Sequence, residues 1–257
     1  MASTLFNFTK ADIPINPHNI TDMVDMVAAS DKLDDKHKSD WKHKLEIVKA
    51  LVDEYGYIHP RYRKSKHGAY YTNHPNIQGF QNWMIARMLD DCTMKAVDYR
   101  SMFPGICAWL FDDAALKRDY STDSIYCCDW LDRPAAKQAF ISIMFGCSPH
   151  RLPEIVGYGT TKEYAKYKQM MHDKYKSVAN LTQGTRAKVR AYSSRQFNNK
   201  IISLSEELHI YLIKHDQFFY RPPKRAIVQG FDIKLGDFRL IAKETDRNEM
   251  ANDHNLN

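Results

Sequence analysis

Cysteine is scarce in this chain and forms no pattern. The five, Cys92, Cys107, Cys127, Cys128 and Cys147, are odd in number, lack metal-ligand spacing and follow no secretory signal. That argues against a thiolate metal site and for reduced, buried thiols in a cytosolic chain. Long apolar runs are lacking too, and none approaches the roughly 20 residues a membrane-spanning helix needs. A soluble, intracellular protein with no membrane partner is therefore expected. Charge of one sign is not dominant: 37 Lys and Arg face 31 Asp and Glu, a net +6 with the two signs interleaved. This balance permits nucleic-acid binding by phosphate neutralisation without establishing it. Internal repeats and low-complexity stretches are absent. What remains is 257 residues, 44% apolar, enough for one good-sized domain or one core with lobes.

Periodicity outlines the elements. A short helix is expected over 20–29. Asp40 can cap a helix carrying Trp41, Leu45, Val48, Leu51, Val52 and Tyr55 on one stripe, stopped by Gly56. Residues 57–80 read as strand and loop, and their His59, His67 and His74 have no recognised metal spacing. Tyr70 and Tyr71 suit base stacking or a half-buried strand equally. A helix is expected over 80–89, then a short strand over 94–97 leading into Asp98. Asp132 caps a helix with Pro134 in its first turn, ending at Gly146. A second long helix begins near Thr161, with Tyr164, Tyr167, Met170, Met171, Tyr175 and Val178 as a stripe that belongs to the core. Runs 209–213 and 217–220 read as a hairpin turning at His215-Asp216. Further strands are expected over 225–242, and a disordered polar tail from Glu244.

Three segments carry chemistry: Val97-Asp98-Tyr99-Arg100, Arg133 through Phe145-Gly146, and Lys214-His215-Asp216-Gln217. Arg133 and Lys137, four apart on a helix, have Cβ atoms roughly 5–6 Å apart. They can hold successive phosphates, Arg by its fork and Lys as a point charge. Ile141 and Phe145 continue the face, with Phe145 roughly 12 Å along the axis from Lys137 at about 1.5 Å per residue. Cations at one end and a flat apolar surface at the other suit a nucleotide. A solvated Arg/Lys pair above a core-facing Phe is the competing reading. Asp98 and Asp216 would meet if their strands are adjacent, and two Asp can bridge two Mg2+ ions roughly 3.5–4 Å apart. Taken singly, Asp98 reads as a helix cap and His215-Asp216 as a polar turn.

In this order the segments resemble the DNA polymerase A family, with the single-subunit phage RNA polymerases as relatives. Asp98-Tyr99 is similar to motif A, Arg133-x3-Lys137-x7-Phe145-Gly146 to motif B, and His215-Asp216 to motif C. Pro75-Asn76-Ile77-Gln78 resembles a segment before motif A, and Arg195-x3-Asn199 one before motif C. The resemblance covers roughly residues 41–240. It implies an α+β fold: a right-hand polymerase palm built on an antiparallel sheet, with helical fingers and a reduced or absent thumb. The implied division begins with an N-terminal helical segment (1–55, a vestigial thumb) and a first palm segment (56–131). Fingers (132–198), a second palm segment (199–243) and a disordered tail (244–257) complete it. Asp98 and Asp216 would be metal ligands for two Mg2+ ions, with Mn2+ as an alternative. Arg133 and Lys137 would grip the triphosphate, and Lys137 would also protonate departing pyrophosphate. Phe145 would lie beside the templating pair with Gly146 allowing close approach. Asn76, Gln78, Arg195, Asn199 and His215 would touch a DNA primer–template.

The chain departs from that pattern. Phe103 stands where DNA polymerases of the family carry a Glu that bars a ribose 2′-hydroxyl. Phe145 replaces a Tyr, Ile141 an aromatic, Gln217 a Glu and Ala69 an Arg. A bulky Phe103 should still exclude the 2′-hydroxyl sterically, favouring deoxynucleoside triphosphates. About 55 residues before Gly56 leave little to clamp duplex, so distributive synthesis is expected unless a processivity, helicase or primase partner holds the template. Two alternatives accompany this reading. One is a primase or small RNA polymerase of a virus or mobile element, acting in the host cytoplasm. The other is a non-catalytic nucleic-acid-binding subunit of a replication complex.

Overall fold

The computed structural model describes residues 12–31, 33–74, 77–147, 161–223 and 230–252. In chain order they form β1 (Ile13–Pro14), α1 (Pro17–Ala29), α2 (Asp35–Tyr55), β2 (Tyr57–Ile58), β3 (Arg61–Lys64), β4 (Tyr70–His74), α3 (Asn82–Met88) and β5 (Lys95–Tyr99). Next come α4 (Met102–Leu110), α5 (Ala114–Ser121), α6 (Arg133–Phe145), α7 (Thr161–Lys174), α8 (Lys176–Ala179) and α9 (Gln183–Leu204). The last are β6 (His209–Lys214), β7 (Gln217–Arg221), β8 (Ile233–Leu235), β9 (Phe238–Leu240), β10 (Ala242–Asp246) and α10 (Arg247–Asn252). The chain divides into two compact units. One takes residues up to Tyr99, Gln196–Ile233 and those from Ile241 onward; the other takes Arg100–Arg195 and Lys234–Leu240. Among the described residues no helix is long and apolar enough to cross a membrane.

The first unit centres on an antiparallel sheet in the order β10-β5-β7-β6. Residues 210–213 and 217–220 are buried at every position, so both faces of the hairpin are covered. β5 is buried at Ala96, Val97 and Tyr99 but exposed at Asp98. A carboxylate is therefore presented from the middle of the sheet. α1 buries Ile20, Met23 and Val27, and α2 buries Leu45, Val48 and Val52. α2 starts earlier than expected: the Asp34 carboxylate accepts the His37 N–H at 2.8 Å and caps it, leaving Asp40 inside the helix. Gly56 ends α2 as expected, at φ +76°, where a residue without Cβ is unstrained.

The expectation of a disordered tail from Glu244 is corrected for residues 244–252. β10 pairs residue by residue with β5, Lys243 opposite Asp98 and Glu244 opposite Val97. A polar strand suits a sheet edge because backbone pairing holds it and its charges are used. Lys95 bridges Glu244 and Asp246, and the Tyr220 hydroxyl donates to Glu244 at 2.7 Å. α10 then buries Met250, while Arg247 donates to the carbonyls of Ala86 and Leu89 at 2.8 and 3.2 Å. Of the strands expected over 225–242, β8 and β9 lie within the described residues and 224–229 outside them.

The second unit is mostly helical, with the β8–β9 pair at its edge. Of the stripe expected of the helix from Thr161, Tyr164, Tyr167, Met171, Tyr175 and Val178 are buried in the core, while Met170 is half-buried. A break at Tyr175 separates α7 from α8. The Tyr167 hydroxyl donates to the Ala136 carbonyl at 3.0 Å, and that of Tyr175 to Asp119 at 2.8 Å. Of the cysteines only Cys107 is buried, its thiol pushed up to about 12 by burial. Cys92, Cys127 and Cys147 are exposed, which corrects the expectation of buried thiols.

Gly105, inside α4, is a site of close approach. A Cβ there would stand 2.6 Å from Leu240 Cδ2 and 2.8 Å from Tyr120 Cε2, both on buried side chains. Gly105→Ala should therefore destabilise by about 1–3 kcal/mol through overpacking. That outweighs the gain of roughly 1 kcal/mol that alanine brings to an exposed helix position. A urea unfolding midpoint equal to or above the wild type would contradict the packing shown.

Three buried carboxylates tie the elements together. Asp91 accepts from Tyr211, Arg221 and Thr93 at 2.6–2.9 Å; Asp113 joins α5 to α8 through Leu116 and Ser177; Asp119 meets Lys174, Tyr175 and Arg118. Burial alone would raise their pKa values, but the donated hydrogen bonds outweigh it and hold all three below the usual carboxylate range. The unfolded chain therefore binds more protons in acid, and stability falls as pH drops below roughly 4–5. Asp91→Asn should lower the neutral-pH stability and flatten that fall in urea melts taken from pH 7 to pH 3.

Candidate active site

The first unit places one predicted metal ligand on β5 and the other in the turn that leads into the neighbouring strand β7. Asp98 is the penultimate residue of β5, inside the strand rather than after it, and its Cα partner on β7 is Gln217. Asp216 sits in the two-residue turn between β6 and β7, and its carbonyl accepts the Tyr99 N–H at 3.2 Å. His215 supplies the left-handed conformation the tight turn needs, at φ +54°, and its ring meets Tyr71 edge-on at 5.8 Å. Asp98 and His215 are exposed, Asp216 is half-buried and Gln217 is buried.

Lys214 was not anticipated from the sequence. Its Nζ donates to the Phe80 carbonyl at 2.7 Å and to Asn82 Oδ1 at 2.9 Å. Burial lowers its pKa to about 8, with Asp98 and Asp216 pulling the other way. One cation thus stands within electrostatic reach of both carboxylates. A lysine beside a turn gives no sign in sequence that strand pairing will bury it. Among the described residues no three His, Cys, Asp or Glu side chains gather into a metal cluster. Two carboxylates still fit Mg2+, which usually keeps several waters and binds one or two carboxylates plus substrate phosphates.

The primer–template residues fare differently. Gln78 is corrected: its amide is buried, accepting from Thr72 N–H at 2.8 Å and donating to the carbonyls of Tyr70 and Ile213 at 3.1 and 2.6 Å. It staples β4 to β6 and has no polar atom to spare for nucleic acid. Asn76 lies outside the described residues. Arg195 and Asn199 are exposed on α9, with the Arg195 guanidinium 5.8 Å from the Tyr192 ring.

In the second unit the helix expected from Asp132 to Gly146 is present as α6. Asp132 caps α6 by accepting the Ala135 N–H at 2.8 Å, and Gly146 ends it at φ +73°. Arg133 and Lys137 are exposed, Ile141 is half-buried and Phe145 is 37% exposed. Arg133 is oriented by Asp123, whose carboxylate and carbonyl take its guanidinium at 2.8 and 3.0 Å, and it lies 5.7 Å from the Tyr126 ring. Phe145 stacks on the buried Phe103 with ring centres 4.5 Å apart and 29° between planes. Arg190 of α9 packs its guanidinium 4.6 Å from the same ring, and its buried Nε has no hydrogen-bond partner among the described residues. Arg186, on the same helix, donates to the Met144 carbonyl at 2.9 Å and lies against Gly146, where a Cβ would come 2.9 Å from Nη1. The group that exploits Gly146 within this unit is therefore a guanidinium. Neither arginine has a sequence signal beyond its i, i+4 spacing.

No protein-family model matches the sequence, and no curated protein matches it. Solved structures do. The chain is similar to the POL domain of Pol1 from M. smegmatis, determined in complex with DNA primer-template and dNTP, at a TM-score of 0.70 and 12% identity over 96% of this chain and 69% of that one. The fold is thus that of a DNA polymerase domain, mixed helix with antiparallel sheet.

Proposed function

We propose that the protein is a template-directed nucleotidyltransferase: a minimal, family A-like DNA polymerase that extends a primer by two-metal phosphoryl transfer. The observation that carries this is the placement of Asp98 on β5 beside Asp216 in the β6–β7 turn, where the Tyr99 N–H donates to the Asp216 carbonyl. In this reading β5 and the β6–β7 hairpin are palm, and α6 is the nucleotide-binding helix of the fingers. Asp98 and Asp216 would hold divalent cations, Mg2+ by preference. The bound ions would lower the pKa of the primer hydroxyl and neutralise charge on the leaving phosphates. Arg133 and Lys137 grip the triphosphate, and Lys137 hands a proton to pyrophosphate as it departs. Arg195, Asn199 and His215 contact the primer–template; Gln78 supports them only through the strands it staples.

Phe103 and Phe145 set the nucleotide's sugar and base. Their stack supports a steric bar against a 2′-hydroxyl at Phe103, and Phe145, 37% exposed, would lie beside the templating pair. Phe103→Ala should raise the ratio of ribonucleotide to deoxynucleotide incorporation by about tenfold or more, the scale on which removing pocket bulk changes discrimination. An unchanged ratio would remove Phe103 from sugar selection.

The primase or small RNA polymerase reading rests on Ile141 and Phe145. Supplying dNTPs with primed DNA in one reaction, and rNTPs with an unprimed single strand in another, separates the two activities. Extension in the first alone supports the polymerase; de novo products in the second replace it with the primase. Products in neither leave the non-catalytic subunit as the reading that survives.

A further inference from the structure

The second unit contains a cavity of about 290 Å3 that the polymerase reading does not use. It is lined by Gly146 and Cys147 after α6, by Tyr164, Lys168 and His172 on α7, and by Arg186 on α9. Its remaining lining is apolar, from Ile143, Val178, Ala179 and Leu181, so among the described residues no carboxylate lines it. Lys168 and His172, four residues apart, share a helix face. Arg186 is fixed from behind by its Nε bond to the Met144 carbonyl at 2.9 Å and by its seat on Gly146. Asp173, next to His172 in sequence, is engaged by the Gln169 amide at 2.7 Å.

We propose that this cavity is a binding site for a phosphate oxyanion held by Lys168, His172 and Arg186. A pocket of this size lies at the lower edge of those that enclose drug-sized ligands, and it suits a phosphoryl group rather than a whole nucleotide. The donors are complementary: a planar guanidinium fork, an ammonium point charge and an imidazole N–H. Burial, then Lys168 and Arg186, hold the His172 imidazole below its ordinary value, with Asp173 opposing. Among the described residues, Tyr164 and Cys147 are the other titratable groups lining the cavity. An arriving anion reverses that field, so binding takes up a proton on His172 and strengthens as pH falls. The anion is either free inorganic phosphate or pyrophosphate, or a phosphodiester of a nucleic-acid strand. The site shares no residue with Asp98, Asp216, Arg133 or Lys137 and does not depend on their assignment.

The test follows the His172 imidazole by NMR and the alkylation rate of the exposed Cys147 in the full-length protein at low ionic strength. Inorganic phosphate, pyrophosphate and a short single-stranded oligonucleotide are the probes, with chloride at matched ionic strength as control. A shifted His172 signal with raised pKa, together with slowed alkylation, is expected. A response to phosphate or pyrophosphate assigns the free anion, and a response to the oligonucleotide alone assigns the phosphodiester. Lys168→Gln, which removes a half-buried charge, should weaken binding about tenfold, the scale of one charge-assisted contact. Asp98→Asn should bind as the wild type does. If no probe moves His172 beyond the chloride control, or Lys168→Gln and Arg186→Lys both bind like the wild type, the site is not an anion site.

Discussion

Replacing Asp98 or Asp216 by asparagine is expected to lower templated nucleotide incorporation on the order of 10³-fold or more, the scale of losing a group that stabilises charge on a transferring phosphoryl. Asparagine keeps the size and removes the charge that would hold a metal. Asp98 is exposed on β5 but also offsets the partly buried Lys214, so its replacement should lower the Lys214 pKa further as well as removing activity. Asp216 is one of two carboxylates that offset the partly buried Lys214. Asp216→Asn should therefore lower the Lys214 pKa further as well as removing activity. The double variant should be scarcely worse than either single one, because groups that act as a unit are not additive. Single-turnover incorporation with circular dichroism on the same samples checks this; a loss below about tenfold in both single variants would remove the pair from the chemistry.

Lys137→Ala is expected to lower the rate of the chemical step by about 10²–10⁴-fold, the usual range for general acid catalysis. Arg133→Ala should act mainly on KM for the nucleotide. The difference has a structural basis. The Arg133 guanidinium is already oriented by Asp123 and Tyr126, a preorganised fork for binding, whereas Lys137 one turn on is exposed. Asp123→Ala should then raise KM modestly by loosening that fork, with kcat nearly intact. Pre-steady-state incorporation over a range of dNTP concentrations separates the cases. A Lys137→Ala variant that alters only KM would reduce its role to binding.

How far the chain was legible depended on what kind of interaction fixed each residue. Helix α6 was readable end to end because its signals are local: Asp132 caps it, Pro134 sits in the first turn and Gly146 takes the left-handed position. The β6–β7 hairpin was readable for the same reason, from two apolar runs around a polar turn. Asp40 misled because several acids stand nearby, and only geometry shows that Asp34 reaches the His37 N–H. The strand at Ala242–Asp246 was missed because its composition is polar, and its partner β5 lies far away along the chain. Gln78 was assigned to nucleic acid because a buried amide stapling two strands looks the same in sequence as one facing a ligand. Lys214, Arg186 and Arg190 escaped because burial and ring contacts arise from tertiary packing.

The most direct test of the central claim is single-nucleotide insertion by the purified protein on a primed DNA template with Mg2+, offering the four dNTPs one at a time. The account predicts that the primer grows by the dNTP complementary to the template base, and that Asp98→Asn abolishes the product. No extension by the wild type, addition of all four dNTPs alike, or full activity in Asp98→Asn would contradict it.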